Sequence, residues 1–209
     1  MGASNKRFGA VRDLSAIETK RMQMQTQIDG SKSIEERRKF GQYTTPFGLA
    51  KEIVSYGLAL LNDKEISFLE PAFGTGSFYS ALLSEITRFA KYIKSAVGIE
   101  LDDKYYSAAH ELWEDRNIKL VHKDFAVAEG VGAANLLISN PPYVRHHFIG
   151  QEQKSKLAVL IKNETGLSIS GLAGLYCYFI LLAHKWLAPN AICGWLIPSE
   201  FMDVNYGTT

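Results

Sequence analysis

The stretch from Ile66 to Phe78, Ile-Ser-Phe-Leu-Glu-Pro-Ala-Phe-Gly-Thr-Gly-Ser-Phe, decides how the rest of the chain is read. A short apolar run ends in an acid and a proline. Two glycines follow one residue apart, and an apolar stretch at helical spacing opens after them. That order is strand, tight loop, helix. Gly74 and Gly76 let the backbone turn sharply and let a ligand come close. The Lys-Ser/Thr pair of a Walker A loop is missing, and the third glycine position of a GxGxxG fingerprint holds Tyr79. A pyrophosphate is therefore not the expected ligand. By itself the loop reads either as a ligand cradle or as a plain glycine turn.

The same alternation continues outward. Helical spacing of apolar residues runs over 47–61, 78–92, 104–116, 151–161 and 172–187, the last being the strongest. Apolar runs at 66–69, 96–99, 118–121, 135–139 and 191–197 read as strands. Strands separated by helices of this length make βαβ units, so the fold class is α/β with a mostly parallel sheet between two helical layers. Ser33 followed by Glu36 predicts a short capped helix at 33–39. Residues 1–33 are polar and read as a loose or helical N-terminal arm.

Composition is that of an ordinary globular chain: 209 residues, 46% hydrophobic, 22% charged, net charge +1. Residues 1–40 hold nine Lys/Arg against five Asp/Glu, which suits either a solvated face or a polyanion partner. Cys177 and Cys193 lie in apolar segments without metal-ligand spacing and read as free thiols of a cytoplasmic protein. The longest apolar run, 171–183, has 13 residues and is too short to span a bilayer, so no membrane partner is expected. Arg145-His146-His147 lacks an accompanying carboxylate or thiolate, and no metal is expected. Phosphate contact by Arg145 is the more plausible use.

Ligands of open parallel sheets bind at the carboxyl ends of the strands. Four polar clusters fall there: Glu70–Gly76, Glu100, Asp124-Phe125 and Asn140-Pro141-Pro142-Tyr143. Glu100 lies 24 residues after Gly76, where an acid accepts from ribose hydroxyls; a strand-end acid without a ligand is the alternative. Asp124 beside Phe125 suits the amine and face of an adenine, or an ordinary turn. Asn140–Tyr143 is the most informative tetrapeptide. Two prolines remove two N–H donors, so the Asn140 amide oxygen and the Pro141 carbonyl present acceptors. Such a pair holds both hydrogens of a planar amine and stabilises positive charge growing on its nitrogen. Tyr143 offers a ring to stack on. The competing reading is a diproline turn with a surface tyrosine.

These residues together resemble a known family. GQYTTP at 41–46, EPAFGTGSF at 70–78, GIE at 98–100, KDF at 123–125 and NPPY at 140–143 look, in this order, like the motifs of gamma-class N6-adenine DNA methyltransferases of bacterial restriction–modification systems. GLYCYF at 174–179 and WLIPSEF at 195–201 resemble the same class. The resemblance implies a Rossmann-like methyltransferase fold, S-adenosyl-L-methionine as cofactor and double-stranded DNA as partner. It implies that Tyr43, Thr44, Thr45 and Pro46 line the methionine side of the cofactor pocket. Glu70, Pro71, Ala72, Gly74 and Gly76 would wrap methionine and sugar. Glu100 and Leu101 would sit at the ribose, and Asp124 and Phe125 at the cofactor adenine. Asn140, Pro141 and Pro142 would orient the target amine, Tyr143 would stack on the target base, and Asn140 would also border the cofactor. The adenine must leave the duplex to reach them.

On this reading residues 34–209 are the catalytic domain. The family's sheet has seven strands and a DNA-recognition domain follows it, so final strands and the recognition domain are expected beyond Thr209. The chain would then be a truncated frame, a fragment or one half of a split enzyme, served by a recognition-bearing subunit or C-terminal segment. A restriction endonuclease is the expected functional associate. Two other readings stay open: a methyltransferase for a guanine in RNA or a glutamine in protein, since NPPY occurs there too, and a cofactor- or DNA-binding partner without activity of its own.

Overall fold

The computed structural model describes residues 3–130 and 133–199, with side chains from Asp13 onward. Five strands, β1 (Glu65–Glu70), β2 (Tyr92–Glu100), β3 (Lys119–His122), β4 (Ala134–Ser139) and β5 (Leu187–Trp195), form one sheet. Its order is β3-β2-β1-β4-β5 and every neighbouring pair is parallel. The chain first builds outward from β1 through β2 to β3, then returns to add β4 and β5 on the other side. The strand order thus reverses between β1 and β4, and their carboxyl ends frame a crevice.

Successive residues of a strand face opposite sides, and both sides here are apolar. Phe68, Leu136 and Ile138 pack in a cluster with α3 (Phe47–Leu60), α4 (Ser77–Glu85) and α5 (Asp103–Trp113). Leu69, Ile99 and Leu137 pack in a second cluster with α6 (Gln151–Thr165) and α7 (Leu175–Leu182). The sheet is therefore the middle of three layers. Burying each such side chain stabilises the fold by about 1.5–3 kcal/mol.

Two further helices precede α3. The 33–39 expectation is met by α2 (Ile34–Lys39), with a reciprocal capping box between Ser33 and Glu36. The polar N-terminal run is helical as α1 (Ala3–Gly30) and docks against α4 and α5.

Several element boundaries differ from the sequence reading. The helix expected over 78–92 ends at Glu85, and the chain turns at Ala90 with φ +53° before β2 begins at Tyr92. Ile86 and Phe89 pack against the core from this turn and mimic helical spacing. β2 is longer than expected because Tyr92 and Lys94, polar at the edge, both bond the carboxylate of Glu65 on β1. Helix α7 starts at Leu175 rather than 172, since the Leu175 amide donates to the Val144 carbonyl. A 3-10 turn, 183–186, leads straight from α7 into β5, which therefore begins four residues early. Pro189 is tolerated there because β5 is the outer strand among the described residues. Glu200 and Phe201 of the WLIPSEF stretch lie outside the described residues.

Candidate functional site

The glycine loop leaves β1 over the end of β2. The Phe73 amide donates to the Ile99 carbonyl at 2.9 Å, and its ring covers Gly98 so closely that a Cβ there would lie 2.4 Å from it. Gly74 (φ +56°) and Gly76 (φ +86°) both need the left-handed region, but for different neighbours. A Cβ on Gly76 would meet the Phe73 ring at 2.6 Å and Trp113 Nε1 at 2.7 Å. A Cβ on Gly74 would meet nothing within 4 Å. Gly76 serves packing, whereas Gly74 presents open backbone to a cavity of about 460 Å³.

That cavity opens at the strand carboxyl ends. Glu70, Pro71, Ala72 and Gly74 line it from β1, Glu100 and Leu101 from β2, and Asp124 and Phe125 after β3. Asn140 and Pro142 line it after β4, and Tyr43, Thr44 and Thr45 close it from the loop before α3. The structure thus gathers these sequence candidates around one space. Four candidates lie off its wall. Pro46 is the N-cap of α3, Gly76 is the N-cap of α4, and Pro141 is buried between the lining residues Asn140 and Pro142. Tyr143 faces a neighbouring recess with Arg38, Tyr43, Arg145 and Phe148. Its ring stacks on Tyr43 with centroids 5.6 Å apart.

The acids are held in different ways. Glu100 accepts from the Gly74 amide at 2.7 Å through Oε2, and from the Leu101 and Asp102 amides at 2.9 and 2.8 Å through Oε1. Burial raises its pKa, and these amides act against the rise. Glu70 is 2% exposed, and its Oε2 has no hydrogen-bond partner among the described residues. Burial pushes its pKa well above the ordinary value; Arg21 opposes the shift and Glu100 adds to it. Asp124 caps a 3-10 turn, accepting from the Ala126 amide at 2.9 Å. Phe125 is buried beside Phe179 and Trp186.

Asn140 is fixed by its nitrogen. Nδ2 donates to the Tyr43 carbonyl at 2.9 Å and to Thr45 Oγ1 at 3.0 Å. Both amide hydrogens are thereby used, and Oδ1 accepts no hydrogen bond among the described residues. The Pro141 carbonyl accepts no backbone hydrogen bond among the described residues. Tyr143 donates its hydroxyl to the Leu196 carbonyl at 2.7 Å, and its amide bonds the Gly41 carbonyl at 3.1 Å. Burial raises its phenol to about 12, so it stays neutral. Gly41, at φ +62°, is required here: a Cβ would lie 2.3 Å from the Tyr143 nitrogen.

The family model for the Eco57I restriction-modification methylase matches residues 76–209. The chain belongs to this family. Among curated relatives, the Eco57I-family chain is 32% identical to the type II methyltransferase M.AccI of Acinetobacter calcoaceticus, over 86% of this chain and 32% of M.AccI. It is 28% identical to the modification methylase CviBIII of Paramecium bursaria Chlorella virus NC1A, over 88% of this chain and 44% of that one. It therefore spans less than half the length of either relative. Two solved structures share the fold. One is assigned as a class I S-adenosylmethionine-dependent methyltransferase from Listeria monocytogenes, with TM-score 0.63, 19% identity, and coverage of 80% of this chain and 50% of that chain. The other is a type I restriction-modification methyltransferase subunit from Streptococcus thermophilus, with TM-score 0.57, 15% identity, and coverage of 76% and 35%. The fold is thus the Rossmann-like one of S-adenosylmethionine-dependent methyltransferases.

The match to the Eco57I family begins at Gly76, yet much of the cavity wall precedes it. Sequence reading missed the earliest part of that wall. Gln25 of α1 lines the cavity, and Gln42, Asp102 and Tyr105 border it. Lys32 Nζ lies 4.3 Å from the Tyr105 ring centroid and bonds Asp102 at 2.5 Å and Gln42 at 2.9 Å. Burial raises the Asp102 pKa, but the bonds from Lys32 and Gln42 outweigh it and the net shift is downward. The signal for α1 was a polar stripe at helical spacing, Glu18, Arg21, Gln25 and Asp29, in a segment without an apolar face to draw attention. No group of His, Cys, Asp or Glu among the described residues is arranged to hold a metal ion, and no described helix is long and apolar enough to cross a membrane.

Proposed function

We propose that this chain binds S-adenosyl-L-methionine in the cavity and transfers a methyl group to the N6 amine of an adenine flipped out of double-stranded DNA. The observation that carries the reading is the commitment of Asn140 Nδ2 to Tyr43 and Thr45, which reserves Oδ1 as an acceptor next to the cavity. The cavity's chemistry fits the cofactor. A buried, unpartnered carboxylate oxygen of Glu70 suits a cationic ligand, and Glu100 and Asp124 add negative charge. Gly74 leaves room for close approach, and Phe125 and Leu101 offer apolar contact for a purine. Glu70 would hold the methionine portion, Glu100 the ribose, and Asp124 with Phe125 the adenine.

When bound, the cofactor supplies an electrophilic methyl group on a sulfonium centre. The chain's own residues manage the other reactant. An aryl amine is weakly nucleophilic because its lone pair is delocalised into the ring. Asn140 Oδ1 and the Pro141 carbonyl accept its two hydrogens and turn the nitrogen lone pair toward the methyl. Transfer would form the N–C bond and break the sulfonium S–C bond, leaving a neutral thioether, and these two dipoles would stabilise the positive charge growing on nitrogen without reorganising. The proton then leaves the amine for solvent. Tyr143 presents a neutral ring in a fixed orientation, since its hydroxyl is anchored on Leu196. Family membership supports a restriction–modification setting, with a cognate restriction endonuclease as the functional associate and sequence recognition supplied by a further segment or subunit.

The test is transfer of labelled methyl to duplex DNA, followed by nucleoside analysis. N6-methyladenine is expected. Asn140→Ala should lower the rate by about 10²-fold, while cofactor affinity changes only severalfold. Methylated RNA or protein with unmodified DNA, or a folded chain that binds no cofactor, would sink the proposal.

A further inference from the structure

Helix α1 buries a polar face, which is an expensive way to attach a helix unless every group on it is satisfied. Glu18, Arg21 and Gln25 are 7%, 2% and 9% exposed. Arg21 makes a bidentate pair with Glu18, at 2.8 and 2.6 Å, and donates to Thr75 Oγ1 at 3.0 Å. Thr75 lies between the two glycines of the loop, and its hydroxyl donates in turn to Gln25 Oε1 at 2.7 Å. Gln25 Nε2 donates to Thr44 Oγ1 and to Asp29 Oδ1, both at 2.9 Å. Thr44 also donates to the same aspartate at 2.7 Å. One side-chain amide thus touches the glycine loop with its oxygen and the threonine loop with its nitrogen. Both loops line the cavity, and Thr75 lies fifty residues from Gln25 in sequence.

We propose that Gln25 is a positioning residue for the cofactor site: its amide clamps the glycine loop to the threonine loop and thereby sets cofactor affinity. The inference rests on the cofactor reading above. The clamp needs an amide in particular. Glutamate is the same size but has no hydrogens for Thr44, and it would face Asp29 with like charge. Leucine keeps the volume and offers neither bond. An apolar contact would hold α1 without direction, whereas donor and acceptor at opposite ends of one group fix the separation of the two loops.

The test is calorimetric binding of S-adenosylhomocysteine to the full chain. Gln25→Leu should weaken binding by about tenfold and Gln25→Glu by more. Thr75→Val should weaken it similarly, and the Gln25→Leu/Thr75→Val double variant should lose little beyond either single one, because both remove the same clamp. Thr26→Ala, on the exposed side of α1, should bind as the wild type does. Circular dichroism well below the melting temperature keeps a folding defect apart from a binding one; if the Gln25 variants do not fold, Thr75→Val carries the comparison. Wild-type binding with unchanged affinity in the folded variants overturns the clamp, and so does full additivity in the double variant. A folded wild-type chain that binds no cofactor overturns the reading beneath it instead.

Discussion

At the scale of single residues, Glu70 makes opposing demands of fold and site. Its carboxyl is buried with one oxygen unpartnered among the described residues, so ionising it without a bound cation is unfavourable. Burial raises its native pKa well above the ordinary 4.5. The native state therefore holds this proton more tightly than the unfolded chain. The resulting stability is fully present below pH 4.5 and is lost as pH rises through the elevated native value. Glu100 shifts in the same direction, while Asp102 shifts in the opposite one. Glu70→Gln removes the ionisation. At pH 7 the ligand-free variant should melt about 2–4 °C above the wild type, and the difference should shrink toward pH 4.5. The same variant should lose cofactor binding, because a cation no longer finds its countercharge. Melting curves at two pH values, with and without cofactor, read both effects. A variant that melts lower at pH 7, or that binds cofactor as before, would contradict this account of Glu70.

At the scale of elements, two glycines in one loop have separable duties. Gly74→Ala places a methyl group in open space at positive φ, so its stability cost is the backbone term of about 1–2 kcal/mol. Its larger effect should be on cofactor binding, since the methyl projects where the loop has kept clear. Gly76→Ala adds a collision with Phe73 and the Trp113 nitrogen, and Trp113 also donates to the Thr75 carbonyl at 2.9 Å. Overpacking adds about 1–3 kcal/mol to the backbone term. Denaturant melts should therefore rank Gly76→Ala as the more destabilised, and calorimetry on the folded fraction should rank Gly74→Ala as the weaker binder. The reverse order would reassign the two duties. The sequence alone located this loop because glycines and a proline punctuate an apolar strand and an apolar helix. β1, β4 and the acids at the strand ends were legible for the same reason. Helix α1 was legible only as polar chain. Its role depends on Glu18, Arg21 and Gln25 finding partners fifty or more residues away, and hydrophobic periodicity carries no trace of such bonds. The turn after Glu85 escaped notice because Ile86 and Phe89 reach the core from irregular backbone at the spacing a helix would use.

At the scale of the whole molecule, a net charge of +1 gives DNA no general attraction, so any electrostatic contribution must be local. The strand reversal between β1 and β4 places the Asn140–Tyr143 loop at the mouth of the crevice, and cations gather beside it. Arg37, Arg38 and Lys39 end α2, and Arg145 lies two residues after the loop. Arg38 and Arg145 share the recess of about 410 Å³ that holds Tyr43 and Tyr143. On the DNA-methylation reading, an aromatic recess flanked by two guanidiniums accommodates a base with its neighbouring phosphates. Phosphate contacts release counterions, so binding weakens with salt by a slope of about 0.9 per contact on a log–log plot. Arg38→Ala and Arg145→Ala should each lower that slope by about 1, equally on unrelated duplexes, and leave cofactor affinity unchanged. Fluorescence anisotropy over a salt series measures it. If both variants keep the wild-type slope, the recess does not meet the backbone, and the cations beside it are only a solvated rim. If one of them changes the preference between sequences, that arginine reads a base edge, and its place on the duplex shifts from backbone to groove.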